Sequence, residues 1–273
     1  MKLIEHFLRM LRCFLGSRRY WPVKVQVGDT QLWAPLYLKR SLEDFPIHGE
    51  PFTVSLFQRF ITPGSVIFDV GANIGVYTII GAKKTGTFGN VYAFEPDPRN
   101  YKFLRRNIKS HHLVNVRAVN KAIANTVGDV TLYIHGDPTS SRIVKSSWRA
   151  EGIVGIHRVE VTTIDKFAET YKISNIDVMK MDVEGAELEV IKGAERTLQK
   201  LNSAVVFFEL APRLSTKPKI MELLELLNIL GFQIWLIDEE SKQLLHNALE
   251  YIEEDSILGR NKINALALKG ITL

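Results

Sequence analysis

The hydrophobic pattern of the chain changes near residue 64. Beyond it, short apolar runs alternate with stretches whose apolar residues recur at helical spacing, the signature of a largely parallel sheet covered by helices on both faces. The first run starts at Val66 and ends at Asp69, and the glycine turn GANIG leads into a helix opening near Gly75. Residues 90–96 (NVYAFEP) predict a second strand stopped by Pro96, followed by a basic helix over 98–111 and a third strand over 114–119. A hairpin-like run at 129–134 then diverges into the polar loop HGDPTSSRI, a strand follows at 159–164, and Asp165 is placed to cap the next helix. Strands are expected at 177–181, 204–210, 232–237 and 263–269, with helices over 186–193 and 217–230 and an acidic loop around 250–255. The core count is seven strands. The final two are separated only by that loop, so they should run antiparallel.

The first fifty residues read differently and form an N-terminal extension to a domain spanning 51–273. Residues 1–21 carry Leu3, Phe7, Met10, Leu11 and Phe14 at helical spacing with Lys and Arg between them. This amphipathic segment suits either an anionic membrane surface or packing on its own domain or a partner protein. Glu5, His6, Arg9 and Arg12 interrupt it, so it neither spans a bilayer nor resembles a secretory signal. Residues 23–38 alternate apolar and polar about Gly28-Asp29, as an antiparallel hairpin does. A loop holding Pro46, Gly49 and Pro51 and a short helix over 52–60 complete the extension's link to the core.

Composition changes this picture little. A net charge of +5 over 273 residues is weak evidence for an anionic partner, and neither nucleic acid nor a low-complexity tail is indicated. The single cysteine, Cys13, excludes an internal disulfide and a cysteine-based metal cluster and suits a reducing, cytoplasmic setting, with peripheral membrane attachment through 1–21 as its variant.

Candidate chemistry collects at strand ends. Gly71 lets the backbone pass close to a ligand, and Gly75 lets the helix pack on its strand. The spacing lacks the first glycine pair of a dinucleotide fingerprint, and no Gly-Lys-Ser/Thr follows for a triphosphate. Glu95, about twenty-four residues after Gly71, stands where a βαβ unit places a ribose-binding carboxylate. A dinucleotide and S-adenosylmethionine both offer that ribose. Asp182 and Glu184 end the strand at 177–181 and Glu209 ends the next, three acids on one rim that imply a cation, a shared proton or a bound hydroxyl. Lys180 either pairs with a carboxylate or snorkels at a strand edge. Ser140, Ser141 and Arg142 are candidates from the polar loop, and that loop with the hairpin, Trp148 and His157 is the expected acceptor pocket.

The turn FDVGANIG, the FEP after the second strand, MKMDVEGAELEVIKGA and FFEL together resemble the FkbM family of S-adenosylmethionine-dependent methyltransferases over residues 52–269. The resemblance implies a Rossmann-like, doubly wound sheet of seven strands with the last antiparallel, and methyl transfer to a hydroxyl of a sugar, glycan or natural product. It implies that Asp69, Gly71, Asn73 and Gly75 hold the methionine end, Glu95 the ribose, and Asn120, Lys121 and Ala122 the adenine side. It also puts Asp182 and Glu184 beside the reactive methyl, where one would position or deprotonate the acceptor with help from Glu209. No metal is expected; magnesium held by the three acids is the competing account. The alternatives are a catalytically silent cofactor-binding scaffold for a glycosyltransferase partner and, more remotely, a nicotinamide-dependent oxidoreductase. The absence of an Asn/Asp-Pro-Pro-Tyr motif speaks against amino methylation of nucleic-acid bases.

Overall fold

A computed structural model describes residues 21–135, 142–143, 153–212, 214–246, 248–253 and 263–273. Strands β1 (Pro22–Val27) and β2 (Thr30–Pro35) form the expected hairpin, turned at Gly28 with φ +54°. Helices α1 (Lys39–His48) and α2 (Pro51–Phe60) follow. The loop expected around Pro46 is instead the last turn of α1; the helix ends only at Gly49, whose amide bonds to the Phe45 carbonyl. Residues 1–20 of the amphipathic segment lie outside the described residues. Among the described residues no helix is long and apolar enough to cross a membrane.

The core then builds as alternating units: β3 (Val66–Val70), α3 (Val76–Thr85), β4 (Asn90–Phe94), α4 (Pro98–Ser110) and β5 (Val116–Val119). Asp97 caps α4 by accepting from the Arg99 amide at 2.9 Å, with Pro98 in the first turn where its missing N–H costs nothing. An excursion of β6 (Ala122–Ile123), β7 (Gly128–His135), the short β8 (Arg142–Ile143) and β9 (Ile153–Thr162) makes a separate four-stranded sheet in the order β6-β9-β7-β8. The β9 strand therefore starts earlier than its apolar run indicates, and Ile164 already belongs to α5 (Ile164–Tyr171). Thr163, not Asp165, caps α5.

The chain closes with β10 (Val178–Met181), α6 (Glu187–Lys192), α7 (Glu195–Lys200), β11 (Ala204–Leu210), α8 (Lys217–Ile229), β12 (Gln233–Asp238), β13 (Gln243–His246), α9 (Ala248–Glu253) and β14 (Ile263–Lys269). Asp165 accepts from the amides of Arg196 and Thr197, so it caps α7, a helix thirty residues on. The stretch read as an acidic loop contributes α9 through Glu253.

The main sheet runs β13-β12-β14-β11-β10-β3-β4-β5. Strands β11, β10, β3, β4 and β5 are parallel, and β14 is antiparallel to both β11 and β12. The sequence expectation of seven strands omits β13, which pairs with β12 as an edge hairpin. Strands β10 and β11 are buried along their whole length, which explains why they read as unbroken apolar runs. One face packs Phe68, Met179, Val206 and Leu224 and the other Phe57, Ile67, Phe207 and Leu266. The hairpin does not stand apart: Val25, Leu32 and Ala34 bury against Ile74 and Ile79. Asn107 of α4, fully buried, accepts from the Trp33 amide and donates to the carbonyls of Trp33 and Ile74.

Candidate active site

The carboxyl ends of β3, β4 and β10 open into a cavity of about 720 Å³, roofed by residues of α1 such as Leu42 and Phe45. Nine acidic residues and two lysines line it, and its remaining wall is largely apolar. The turn after β3 is built from three left-handed residues, Gly71 (φ +85°), Asn73 (φ +51°) and Gly75 (φ +97°). Only glycine and, less readily, asparagine take this conformation without strain. Both glycines answer to neighbouring elements. A Cβ on Gly71 would stand 1.9 Å from the Asp182 carbonyl oxygen, so Gly71, which also lines the cavity, has to clear the neighbouring strand end. A Cβ on Gly75 would stand 2.7 Å from Leu104, so it admits α4 rather than its own strand.

Glu95 is buried and faces this turn. Its Oε2 accepts from the Asn73 amide at 2.7 Å and its Oε1 from the Asp97 amide at 2.8 Å. Burial nevertheless pushes its carboxyl up to about 8, against those two hydrogen bonds. Asp69, also buried, accepts from the Thr78 hydroxyl; burial raises it to about 6, with the hydrogen bond and then the Lys180 charge acting in opposition. The side-chain oxygen of Asn73 is buried with no partner among the described residues, and Asn73 lines the cavity.

Across from them, Asp182 and Glu184 both line the cavity. The Asp182 amide bonds to the Val70 carbonyl, which locks the end of β10 to the end of β3, and its side chain is 39% exposed. Glu184 takes φ +56°, an uncommon conformation for a residue with a Cβ, and Gly185 follows at +94°. Glu187 holds this bend. It is buried, its Oε1 accepts from the amides of Val183 and Gly185, and burial pushes it up to about 8. Its place is therefore structural and specific, beyond the helix-dipole role its position in the first turn of α6 indicates. Lys180 does not snorkel. It is 1% exposed, its Nζ stands 4.0 Å from Asp182 Oδ2 and 5.2 Å from the Tyr77 ring centre, and it donates to the Met181 carbonyl.

Other expected residues are not brought together. Asn120 is exposed and donates to the backbone carbonyls of Glu95 and Pro96, tying β5 to the end of β4, while Lys121 and Ala122 do line the cavity. Glu209 is buried but stands off the wall; its register partner on the antiparallel β14, Asn264, lines it instead. Among the described residues no three His, Cys, Asp or Glu side chains are gathered closely enough to hold a metal ion. His157 is exposed on β9, away from the cavity. Ser140, Ser141 and Trp148 lie outside the described residues, as does the side chain of Arg142.

One wall escaped sequence reasoning. Glu50 accepts from the Tyr77 hydroxyl at 2.8 Å and from the Asn264 amide nitrogen. Glu239, just past β12, accepts from the amides of Phe52 and Thr53 and caps α2. The available signal was a polar residue at an inward position of an otherwise apolar strand: Lys180 in VMKM and Asn264 in INALALK.

A methyltransferase FkbM domain model matches residues 69–234, more than half of the chain. The chain is 27% identical over 184 residues to a protein of Haloferax volcanii named hexuronic acid methyltransferase AglP, covering 66% of this chain and 72% of that one. It is 27% identical over 183 residues to 2-O-methyltransferase NoeI of Sinorhizobium fredii, covering 60% and 69%. The crystal structure of methyltransferase FkbM from Methylobacillus flagellatus is similar at 17% identity and a TM-score of 0.45, covering 85% of this chain and 54% of that one. The residues present fit the cofactor of such enzymes: a buried carboxylate at the end of β4, an acceptor on Asn73 that lacks a donor, and an acid-rich lining suited to a sulfonium cation. This chain belongs to the FkbM family of S-adenosylmethionine-dependent methyltransferases.

Proposed function

We propose that the chain transfers a methyl group to a hydroxyl oxygen of a sugar, glycan or related natural product. The observation that carries this reading is Asp182: a half-exposed carboxylate on the cavity wall, 4.0 Å from a buried lysine and across the turn from Glu95. A neutral hydroxyl is a poor nucleophile, so a base at this point is what oxygen methylation needs. The names of the two relatives, one a hexuronic acid methyltransferase and one a 2-O-methyltransferase, support a carbohydrate hydroxyl as the acceptor.

In this reading Asp69, Gly71 and Asn73 hold the amino-acid end of S-adenosylmethionine, Glu95 its ribose, and Lys121 and Ala122 the adenine side. Bound there, the cofactor supplies an electrophilic methyl on a positively charged sulfur. Asp182 orients the acceptor hydroxyl and takes its proton as the new carbon–oxygen bond forms. Lys180 holds the Asp182 carboxylate by charge, and Glu184 completes the acidic rim. The left-handed bend at Glu184 and Gly185, clamped by Glu187, keeps these carboxylates aimed at the cavity. Residues Leu38, Leu42 and Phe45 wall off bulk water.

The test is incubation of the purified chain with methyl-labelled S-adenosylmethionine and a panel of sugars and glycosides, read by mass spectrometry with fragmentation. A labelled O-methyl ether is expected. Label on nitrogen or carbon, or on no sugar in the panel, refutes the reading.

A further inference from the structure

We infer that Asn264, Glu50 and Tyr77 form an acceptor subsite that reads a second hydroxyl of an uncharged sugar, and that this site disfavours a uronate. The inference rests on the methyl-transfer reading above and goes further by naming the recognition group and the charge class of the acceptor.

The Glu50 carboxylate accepts from two donors at once, the Tyr77 hydroxyl through Oε1 and the Asn264 side-chain nitrogen through Oε2. A carboxylate has no proton to give, so this arrangement fixes which way the Asn264 amide faces. Its nitrogen is spent on Glu50 and its oxygen is turned away. That oxygen is buried and has no hydrogen-bond partner among the described residues, in a side chain only 9% exposed. An orphaned acceptor of this kind is costly to the free protein unless a donor arrives.

Asn264, Glu50, Tyr77 and Lys180 all line the same cavity as Asp182. Asn264 sits at the start of β14, beside the ends of β11 and β12, with β11, β10 and β3 between it and the end of β4 that carries Glu95. The donor that fits is a hydroxyl of the molecule whose neighbouring hydroxyl meets Asp182. Three bonds in series, Tyr77 to Glu50, Asn264 to Glu50 and substrate to Asn264, would leave no polar atom of the Asn264 side chain unanswered. A sugar carboxylate brings acceptors only. It would face an acceptor oxygen in a cavity lined by more acidic residues than lysines, even with Glu95 and Asp69 held toward their neutral forms by burial, and like-charge placement of that sort is disfavoured. The site thus differs in charge preference from what the hexuronic acid methyltransferase relative is named for.

The experiment uses the full chain saturated with S-adenosylhomocysteine and ligand-detected NMR titration with three pairs of probes: the methyl glycosides of glucose, galactose and mannose, each against its 6-carboxylate counterpart. At least one neutral glycoside should bind roughly tenfold or more tighter than its uronate. Asn264→Ala should weaken that neutral glycoside by about tenfold while S-adenosylhomocysteine affinity, measured by calorimetry, moves less than about twofold. Glu50→Gln supplies a readout that mere loss of packing would not. A glutamine there accepts from Tyr77 with its oxygen and donates to Asn264 with its nitrogen, which flips the Asn264 amide and presents a donor to the cavity. The preference for neutral over charged probe should then shrink or reverse. Uronates binding as well as neutral glycosides in the unaltered chain, no glycoside binding, or a preference unmoved in both variants would overturn the inference. The methyl-transfer reading falls on a separate result, failure of the unaltered chain to bind S-adenosylhomocysteine, and would take the subsite with it.

Discussion

The α-carbon of Gly71 sits against the carbonyl of Asp182: a Cβ placed there would stand 1.9 Å from the oxygen and 2.8 Å from the carbon. The glycine turn and the proposed base are thereby in direct backbone contact, and the Asp182 amide bonds to the Val70 carbonyl just before that turn. Gly71→Ala adds both the clash and a left-handed conformation that costs about 1–2 kcal/mol by itself. The variant should melt roughly 4–10 °C lower and lose turnover along with cofactor affinity. Calorimetry and a methyl-transfer assay on the folded fraction check both; an unchanged Tm would show that the two strand ends are free to separate.

Asp182 and Lys180 should act as one unit. Asp182→Asn is expected to keep cofactor affinity within a few fold and to lower turnover by roughly two to four orders of magnitude. Lys180→Met removes the charge 4.0 Å away. The double variant should be little worse than the more damaged single one, since neighbours that share an interaction are not additive. Losses that simply multiply would show that the lysine acts elsewhere.

Burial holds Glu95 and Glu187 near 8 and Asp69 near 6, all above their ordinary values. From about pH 4 to 6 for Asp69 and about pH 4.5 to 8 for Glu95 and Glu187 the unfolded chain releases these protons while the folded chain keeps them, so the free protein should lose stability as pH rises through those windows. The sign is opposite to that of a salt-bridged carboxylate. Cofactor affinity should move the other way, rising from pH 6 to 8 by at most about tenfold per unit, because the ionised Glu95 is the form that accepts from a ribose diol. Glu95→Gln should flatten the affinity profile and Glu187→Gln should flatten only part of the stability profile. Melting curves and titrations at five pH values decide it.

Asn107 secures the N-terminal hairpin to the core through three hydrogen bonds, two part-buried ones to Trp33 and a buried one to Ile74. Asn107→Leu leaves those backbone groups unanswered and should cost about 2–4 kcal/mol. The hairpin should then exchange its amides faster than the main sheet does, as hydrogen exchange would reveal. Uniform exchange across both would mean that apolar contacts of Val25 and Leu32 suffice.

The glycine turn, the acid after the second strand and the rhythm of strand and helix from Val66 onward were all legible in the sequence. Each depends on residues close to one another along the chain: periodicity reports which face is buried, and a strand end is marked by the residue that stops it. The excursion of β6 to β9 and the edge strand β13 were harder, since their short strands take their definition from pairing partners.

What the sequence determined by itself is the order of elements from Val66 onward and the residue types at each strand end. Which of those residues meet was decided only by tertiary structure. Gly71 answers to Asp182, Asp165 caps α7 rather than its own helix, Glu239 caps a helix 187 residues before it, and Asn264 meets Glu50 across 214 residues. Glu209 carried the same local signature as Asp182 yet stands off the cavity, where its partner on the antiparallel β14, Asn264, lines the wall. Local pattern records burial and direction, whereas partnership depends on how a whole sheet is ordered, and no window of neighbouring residues contains that order.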